Sequence, residues 1–462
     1  MSRFLLLALL LSTSGIASAQ SDPNGILRSG PMLADVTQRG GTVWVQTDEG
    51  FSTVEVTAFA GGQPVVARAV EANEDGTASV VLFGLEPGTT YTYTVTVDSE
   101  VVETAYPLEM TTQELWQWRM DPPDITIAIG SCYYGNDPAY DRPDRWYAEE
   151  LTYTRGYGGS TEIFETIRAM SPDAMIWLGD NVYLREVDWW SPEGIDYRYA
   201  HAREETNLQP LLASTVHYAT WDDHDYGPND SDRSYVHKEA ALETFARFWP
   251  NPTYGMPGVP GVFTQFQIAD AEFFLLDDRW YRAPNGTPPS DRVYWGEKQL
   301  QWLLDALTFS DAPFKVVANG GQMLNPVQVF ENVSALAPHE RTTLLEQIEA
   351  RGIEGVVFLS GDRHHSELIQ IDRAGTYPLL EYTSSPLTAG ASTFATREDS
   401  PEYNNPARVD GTLVAGERNF GTLSFTGPRN DRTLTMRAYD AEGAMLWEHA
   451  VSQSDLRTPS DD

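Results

Sequence analysis

Short runs of alternating apolar and polar residues fill the first quarter of the chain. They lie between residues 26 and about 105 and are separated by turns that contain Gly, Asp and Pro. The runs are GTVWVQT, STVEVTAFA, TASVVLFGL and TYTYTVTVD. A period of two is typical of strands with one buried face, and several such strands at this spacing predict an antiparallel β-sandwich.

The pattern changes from about residue 122, where apolar strands alternate with amphipathic helical segments. The predicted strands are DITIAIG, DAMIWLG, VHYATW, EFFLLD, FKVVAN and GVVFLS, and the helices include STEIFETIRAM, KEAALETFARFW, EKQLQWLLDAL and HERTTLLEQIEARG. Strands without a polar face predict a sheet that helices bury on both sides. The later runs FGTLSF, TLTMRAYD and MLWEHAV are predicted to complete a second sheet. Segments 184–206 and 249–263 are predicted to be long loops, which often carry function.

The first nineteen residues have the features of a secretory signal peptide. They contain one basic residue, an apolar run from Phe4 to Leu11 and the small residues Ala17, Ser18 and Ala19. We predict that residues 1–19 are removed after Ala19. The apolar run is shorter than the ~20 residues that span a bilayer. We therefore expect an exported protein, periplasmic or secreted, without a membrane span.

The formal net charge of −36 at pH 7 excludes one class of partner. A protein that binds nucleic acid needs a basic face for the phosphate backbone, so we expect no such surface here. An excess of carboxylates instead attracts divalent cations. The length of 462 residues favours two domains, and we expect a monomer.

Cys132 is the single cysteine of the chain. An exported protein of this size could use disulfides, but this thiol has no partner within the chain. It is either a small buried apolar residue or a chemically active group. Its position directly after a predicted core strand leaves both readings open.

Reactive side chains follow each predicted core strand. The clusters are GSC at 130–132, GDNVY at 179–183, DDHD at 222–225, DDR at 277–279, NGGQ at 319–322 and GDRHH at 361–365. Any one of them could be an ordinary turn, since Asp and Asn are common turn residues. Ligands of open α/β sheets bind beyond the carboxyl ends of the strands. The six clusters together therefore predict one site.

The candidate ligands are of two kinds. Carboxylate and amide oxygens suit Ca, Mg or Mn, whereas a thiolate with imidazole suits a transition metal. Two unlike metals that share a carboxylate would explain this mixture. Such a site clamps a phosphoryl group and activates a water molecule.

The order of the motifs resembles one family closely. The motifs SC, GDNVY, TWDDHD, LLDDRWYR and SGDRHHS resemble those of the PhoD family of alkaline phosphatases, within the calcineurin-like metallophosphoesterases. The resemblance implies a calcineurin-like αββα sandwich as the catalytic domain, residues 122–450. Residues 26–110 resemble the N-terminal β-sandwich of that family, which is fibronectin type III-like. Within it, GLEPGTTYTYTV resembles a tyrosine-corner segment, with Tyr91 or Tyr93 at the corner.

The resemblance also implies the metals and their ligands. Fe(III) would be bound by Cys132, Asp180, Tyr183 and His364. Ca(II) would be bound by Asp180, Asp223, Asn229 and Asp362. Whether Asn319, Gln322 or His365 contacts a metal stays open. The chain departs from the family pattern at Asp225, where Glu is usual, and in the Gly pair of ANGGQM.

Two residues are expected to act on the substrate. His224 is a candidate general acid or hydrogen-bond donor to the phosphoryl group, and its alternative role is to support Asp223. Arg363 is a candidate phosphate ligand. Arg279 and Arg282 share that possibility, with structural ion pairs as the alternative.

The expected function is phosphate scavenging by hydrolysis of phosphate monoesters, diesters or both, through in-line attack of metal-activated hydroxide. The alternative is a phospholipase D-like phosphodiesterase that acts on phospholipid head groups. A non-catalytic extracellular binding protein is disfavoured, because every aligned ligand position holds a competent side chain. The absence of a Gly-x-Ser-x-Gly elbow disfavours serine hydrolase chemistry, and the absence of a His-Glu-x-x-His motif excludes a zincin.

Overall fold

The computed structural model describes residues 25–137, 157–329 and 332–459. The predicted signal peptide lies outside these ranges. Within them, no helix combines the length and the apolar character needed to cross a membrane.

The described residues form twenty strands and eight α-helices. The strands are β1 (Leu27–Ala34), β2 (Gly40–Thr47), β3 (Thr53–Ala60), β4 (Gln63–Glu71), β5 (Thr77–Phe83), β6 (Thr90–Val97), β7 (Glu100–Val101), β8 (Glu109–Thr111), β9 (Ile125–Gly130), β10 (Ala174–Leu178), β11 (Val216–Thr220), β12 (Thr264–Ile268), β13 (Ala271–Leu275), β14 (Phe314–Ala318), β15 (Val356–Ser360), β16 (Glu367–Ile371), β17 (Leu379–Thr383), β18 (Asn419–Thr426), β19 (Thr433–Asp440) and β20 (Met445–Ser452). The helices are Ile163–Ala169, Pro192–Arg203, Gln209–Ser214, Asp223–Tyr226, Lys238–Phe248, Glu297–Phe309, Val333–Leu336 and Pro338–Ala350.

Two large sheets pack face to face with helices on their outer sides. One has the order β20-β19-β18-β9-β10-β11-β1-β2-β5, and the other has the order β12-β13-β14-β15-β17-β16. Alternate residues of each strand point to opposite faces. Ile127 and Ile176 therefore share a core with Phe273 of the second sheet, while Trp177 packs in the core formed with Phe245 on the helix Lys238–Phe248. This αββα arrangement is the predicted calcineurin-like architecture.

The N-terminal strands are divided between two sheets that share one apolar core. β1 pairs in parallel with β11, with Leu33 opposite Val216, so β1, β2 and β5 extend the nine-stranded sheet. The order β4-β3-β6-β7 forms a separate sheet, with β8 paired to β6. The Tyr91 hydroxyl accepts a hydrogen bond from the Glu86 amide at 2.9 Å, as in a tyrosine corner. The fibronectin type III-like assignment and the domain boundaries stay predictions.

Two sequence-based expectations about the fold are wrong. The strands β18 to β20 do not belong to the second sheet, because β18 pairs with β9 and places Leu423 opposite Ile127. Segment 184–206 is not a continuous loop, since it contains the helix Pro192–Arg203, whose first turn is capped by the Ser191 side chain. Pro at the first helical position and Ser before it are the usual start of a helix.

We expect Trp44→Ala to destabilise the whole protein, because the N-terminal strand β2 packs into the catalytic core. The Trp44 side chain is fully buried against Phe248, and its indole N–H donates to the Arg247 carbonyl at 2.7 Å. Losing this packing should cost about 3–5 kcal/mol of unfolding free energy. Calorimetry should show a lowered Tm, whereas Trp118→Ala, at a residue 92% exposed, should leave it unchanged. Equal Tm values for the two variants would mean that the N-terminal segment contributes nothing to the core.

Candidate metal centre

The carboxyl ends of the two facing sheets meet closely at Gly361. A Cβ atom at this position would lie 2.6 Å from both the Leu178 carbonyl oxygen and the Cβ of Ser131. Only glycine allows this approach between the end of β15 and the ends of β9 and β10. The Ser131 hydroxyl also donates to the Ser384 carbonyl at 2.8 Å, which ties β9 to the end of β17. Residues that follow these strands are thereby brought to one place.

Several residues after the strand ends have a left-handed backbone. Their φ angles are 59° at Cys132, 51° at Asp180, 62° at Asp230, 63° at Asp362 and 53° at His364. Such angles are uncommon for residues other than glycine and cost about 1–3 kcal/mol each. Backbone strain of this kind is typical of functional sites, where it directs side chains toward a ligand.

The first group of candidate ligands contains a thiol, a carboxylate, a phenol and an imidazole. Ligand atoms of Cys132, Asp180 and His364 all lie within 4.8 Å of one another. Sγ of Cys132 is 3.6 Å from Oδ2 of Asp180, which also accepts a hydrogen bond from the Tyr183 hydroxyl at 2.9 Å. Nε2 of His364 lies 3.0 Å from that hydroxyl. These are the four residues predicted to bind Fe(III).

The second group shares Asp180 with the first. Ligand atoms of Asp180, Asp223 and His224 lie within 4.8 Å of one another. Asp180 accepts a hydrogen bond from the His224 amide at 3.3 Å through Oδ1, so its two oxygens face the two groups. Asp362 lies close to this second group, and its side chain is 19% exposed. Asn229 is exposed in the loop after the helix Asp223–Tyr226.

Burial and mutual repulsion disfavour ionisation of Cys132 and Asp180 in the absence of a cation. Burial raises the pKa of the Cys132 thiol to about 12. Burial, with the neighbouring Cys132 and Asp223, raises the pKa of Asp180 well above its ordinary value. Burial alone would raise the pKa of Asp223 as well, but His224 and Arg279 hold it below its usual range. A bound cation reverses this balance and deprotonates such ligands, so the donor set fits metal ions.

The two histidines are oriented differently. Nδ1 of His364 faces the Gly390 carbonyl oxygen at 2.5 Å, which places its proton there and leaves Nε2 free to act as a ligand. The His224 ring stacks on Tyr183 with centroids 4.3 Å apart. Within the described chain, Nδ1 of His224 is buried and has no hydrogen-bond partner, and burial lowers the pKa of this ring. A buried ring nitrogen that has no partner within the protein can form a hydrogen bond with a bound ligand.

Two of the three arginines named in the sequence analysis are held by carboxylates, whereas Arg282 donates to the amide oxygen of Asn285 at 3.0 Å. One terminal nitrogen of Arg363 donates to both oxygens of the buried Glu402 at 2.8 Å. Arg279 is fully buried and donates through Nε to Asp222 at 2.6 Å. The role of Arg363 in phosphate binding stays a prediction.

The residues left open by sequence reasoning sit in hydrogen-bond networks behind the site. Asn319 accepts from the Trp295 indole at 2.9 Å and donates to the Gly321 carbonyl at 2.7 Å. Gln322 donates to Glu367 at 2.8 Å, and Nε2 of His365 lies 3.3 Å from the same carboxylate. These contacts favour a supporting role for the three residues.

The buried Asp225 side chain links the segments that follow β10 and β11. Its carboxylate accepts from the amides of Asn181 and Asp222, each at 3.0 Å, and burial raises its pKa to about 8. The shorter Asp side chain, where the family pattern has Glu, reaches these amides.

Sequence reasoning missed two residues beside the candidate ligands. The Ser385 hydroxyl lies 3.1 Å from the Cys132 sulfur and accepts the His364 amide at 2.9 Å. The Asp230 amide donates to Asp223 at 2.7 Å. Ser385 could have been found, because it follows β17 in the same way that the predicted ligands follow their strands.

Comparisons with known proteins agree with this geometry. The PhoD-like phosphatase family matches residues 150–426, and a domain family of unknown function (DUF7800) matches residues 24–114. The chain is 24% identical to "Alkaline phosphatase D" of Bacillus subtilis (strain 168) in an alignment of 440 positions that covers 84% of this chain and 71% of that protein.

Two solved structures share the fold. A structure of PhoD superposes with a TM-score of 0.73 at 17% identity and covers 95% of this chain and 94% of its own. Purple acid phosphatase PPD1 from yellow lupin (Lupinus luteus) seeds superposes with a TM-score of 0.64 at 12% identity. The superposition covers 91% of this chain and 74% of the lupin chain.

The match to the PhoD-like phosphatase family covers more than half of the chain, from before β10 to the end of β18. It identifies an enzyme and sets aside a non-catalytic binding protein. The family, together with the two ligand groups around Asp180, implies bound metal ions. The chain belongs to the PhoD-like phosphatase family and is a phosphoric ester hydrolase.

Proposed function

We propose that this enzyme is an exported phosphatase that hydrolyses phosphate monoesters, diesters or both, with Fe(III) and Ca(II) at the site. The observation that carries the proposal is the position of Asp180 between two groups of unlike donors. Thiol, phenol and imidazole on one side favour a transition metal, and on the other side the carboxylates of Asp180 and Asp223, with His224 kept for the substrate, favour calcium. Cys132, Asp180, Tyr183 and His364 are proposed to bind iron. Asp180, Asp223, Asn229 and Asp362 are proposed to bind calcium.

Metal ions of this kind supply an activated water and neutralise the charge on the phosphoryl group when bound. The chain itself orients the substrate. The His224 ring is stacked on Tyr183, and its backbone amide is fixed by Asp180. From this position we propose that it donates a hydrogen bond to a phosphoryl oxygen or a proton to the departing alcohol. Arg363 is proposed to add a positive charge while Glu402 holds its guanidinium in place.

A phospholipid diester is the second candidate substrate. The segment after Tyr183 exposes apolar side chains, with Trp190 68% and Val187 50% exposed, and Val236 is 67% exposed. Nε2 of His237, next to Val236, lies 3.0 Å from the Trp190 carbonyl oxygen, so the two segments that carry these side chains are neighbours. Exposed apolar groups of this kind, tryptophan included, suit contact with a lipid surface.

We expect a calcium chelator to abolish turnover while iron stays bound. Thiolate, phenolate and imidazole should hold Fe(III) more tightly than oxygen ligands hold an exchangeable calcium ion. The assay uses enzyme recovered from the exported fraction, with 4-nitrophenyl phosphate, bis(4-nitrophenyl) phosphate and phosphatidylcholine vesicles as substrates. Iron and calcium are measured by elemental analysis before and after treatment.

Readdition of calcium is the control and should restore the rate. Full activity in the calcium-free sample would contradict the proposed division of ligands. Activity on the vesicles alone would replace the phosphatase by the phospholipid-specific alternative, and absence of the protein from the exported fraction would contradict export.

A further inference from the structure

Arg185 stands next to the candidate metal centre but belongs to neither ligand group. Its guanidinium carbon lies 5.1 Å from the ring centroid of Tyr157 and 6.0 Å from that of Tyr134. Nε is 3.6 Å from a carboxylate oxygen of Glu186 and, in the described part of the chain, makes no hydrogen bond. The side chain is 23% exposed. The group is therefore partly buried on aromatic faces, with hydrogen-bonding capacity that its neighbours do not use.

A column of rings connects this guanidinium to the site. The ring of Tyr134 packs on Tyr183 with centroids 4.8 Å apart, and Tyr183 packs on His224 at 4.3 Å. The Tyr183 hydroxyl donates to Asp180. Arg185 is thus separated from the candidate metal ligands by one layer of aromatic side chains. A phosphoryl group held at the candidate ligands would lie on one side of this layer, with Arg185 on the other.

The backbone holds Arg185 in a fixed position. Its amide donates to the Asp188 carboxylate at 2.8 Å, and the Asp188 amide donates back to the Arg185 carbonyl at 2.8 Å. Asp188 is itself buried in an ion pair with Arg198 at 2.8 Å. The Leu184 amide donates to the His224 carbonyl at 3.0 Å, which links the segment to the site. Preorganisation of this kind lowers the entropy cost of binding a ligand.

We infer that Arg185 binds an anionic group on the alcohol part of the substrate, so that the enzyme favours phosphate esters whose leaving group carries a second negative charge. The guanidinium lies over one face of Tyr134 and of Tyr157, so its N–H groups are available to a ligand that approaches from solvent. A planar guanidinium matches the geometry of a carboxylate or a phosphate. This inference rests on the proposed phosphatase function and specifies its substrate class.

The test compares two substrates that differ by one charge, phenyl phosphate and 4-carboxyphenyl phosphate. We expect Arg185→Gln to lower kcat/KM for the carboxylated ester by about 10- to 100-fold, mostly through KM, since it removes a charge-assisted hydrogen bond. The same variant should change kcat/KM for phenyl phosphate by less than about threefold. Arg185→Lys keeps the charge but loses the planar geometry. Its kcat/KM for the carboxylated ester should lie between those of the wild type and Arg185→Gln. Iron and calcium contents should match those of the wild type.

Arg437→Gln is the matched control, because Arg437 is 28% exposed and pairs with Glu448 on strands β19 and β20. It should leave both substrates unaffected. An equal loss on both substrates in Arg185→Gln would place Arg185 on the reacting phosphoryl group and overturn the inference, as would no loss on either. A wild-type enzyme that hydrolyses neither ester would contradict the proposed function itself.

Discussion

Cys132→Ser is expected to remove iron from the protein and to lower kcat/KM by about 10³-fold or more. The Cys132 sulfur is fully buried, 3.6 Å from Asp180 and 3.1 Å from the Ser385 hydroxyl. Serine has nearly the same volume but offers a neutral hydroxyl in place of a strong anionic donor. Metal stabilisation of a transition state is worth several kcal/mol, and each ~1.4 kcal/mol is a factor of ten in rate.

Burial of Cys132 is equally consistent with a space-filling residue, so the test needs a readout of the thiolate itself. A thiolate and a phenolate bound to Fe(III) should give a visible charge-transfer band that the metal-free protein lacks. Cys132→Ser should shift or remove the band. Cys132→Asp restores an anionic ligand and should recover part of the iron content and rate, with a different spectrum.

Ser29→Ala serves as the control, because Ser29 is equally buried but lies on the N-terminal strand β1, where its hydroxyl donates to Gln46 at 3.4 Å. Its colour and iron content should stay at the wild-type level. A Cys132→Ser protein with the iron content, spectrum and rate of the wild type would show that the thiol only fills space.

Asp180→Asn should cause a still larger loss of activity, about 10⁴-fold or more, because one carboxylate serves both ligand groups and each metal contributes several kcal/mol. Elemental analysis should show that iron and calcium are lost together. The metal-free variant should unfold at a Tm no lower than that of the metal-free wild type. The amide replaces a carboxyl group whose ionisation is opposed by burial, Cys132 and Asp223, while Oδ1 can still accept the His224 amide.

The matched control is Asp173→Asn, next to the opposite end of the same strand. The Asp173 carboxylate accepts the Thr126 amide at 2.8 Å, far along β10 from the site. The Asp173→Asn variant should keep the metal content and the rate of the wild type. If Asp180→Asn kept one metal at full occupancy together with more than about a tenth of the activity, Asp180 would not be the shared ligand.

The location of the site could be predicted from the sequence, because strand ends are visible as the points where apolar runs stop. Cys132, Asp180 and His364 each follow such a run, and the structure brings their ligand atoms within 4.8 Å. The side chains that hold each candidate site residue in position could not be predicted. Ser385 contacts the Cys132 sulfur although 253 residues separate them in the chain. The Glu402 carboxylate that holds Arg363 comes from a later segment without regular structure.

The amino-acid pattern by itself determined the position of the core strands and of four helices, although it missed the helix Pro192–Arg203. It did so because the apolar period differs between the two structures and each period places side chains on a definite face. Only the tertiary structure decided which strands lie side by side. β18 joins β9 and β1 joins β11 through backbone N–H and C=O groups, which are the same for nearly every residue and leave little trace in the sequence. The same holds for Arg185, whose place beside the site depends on the rings of Tyr134 and Tyr157, contributed by separate segments of the chain.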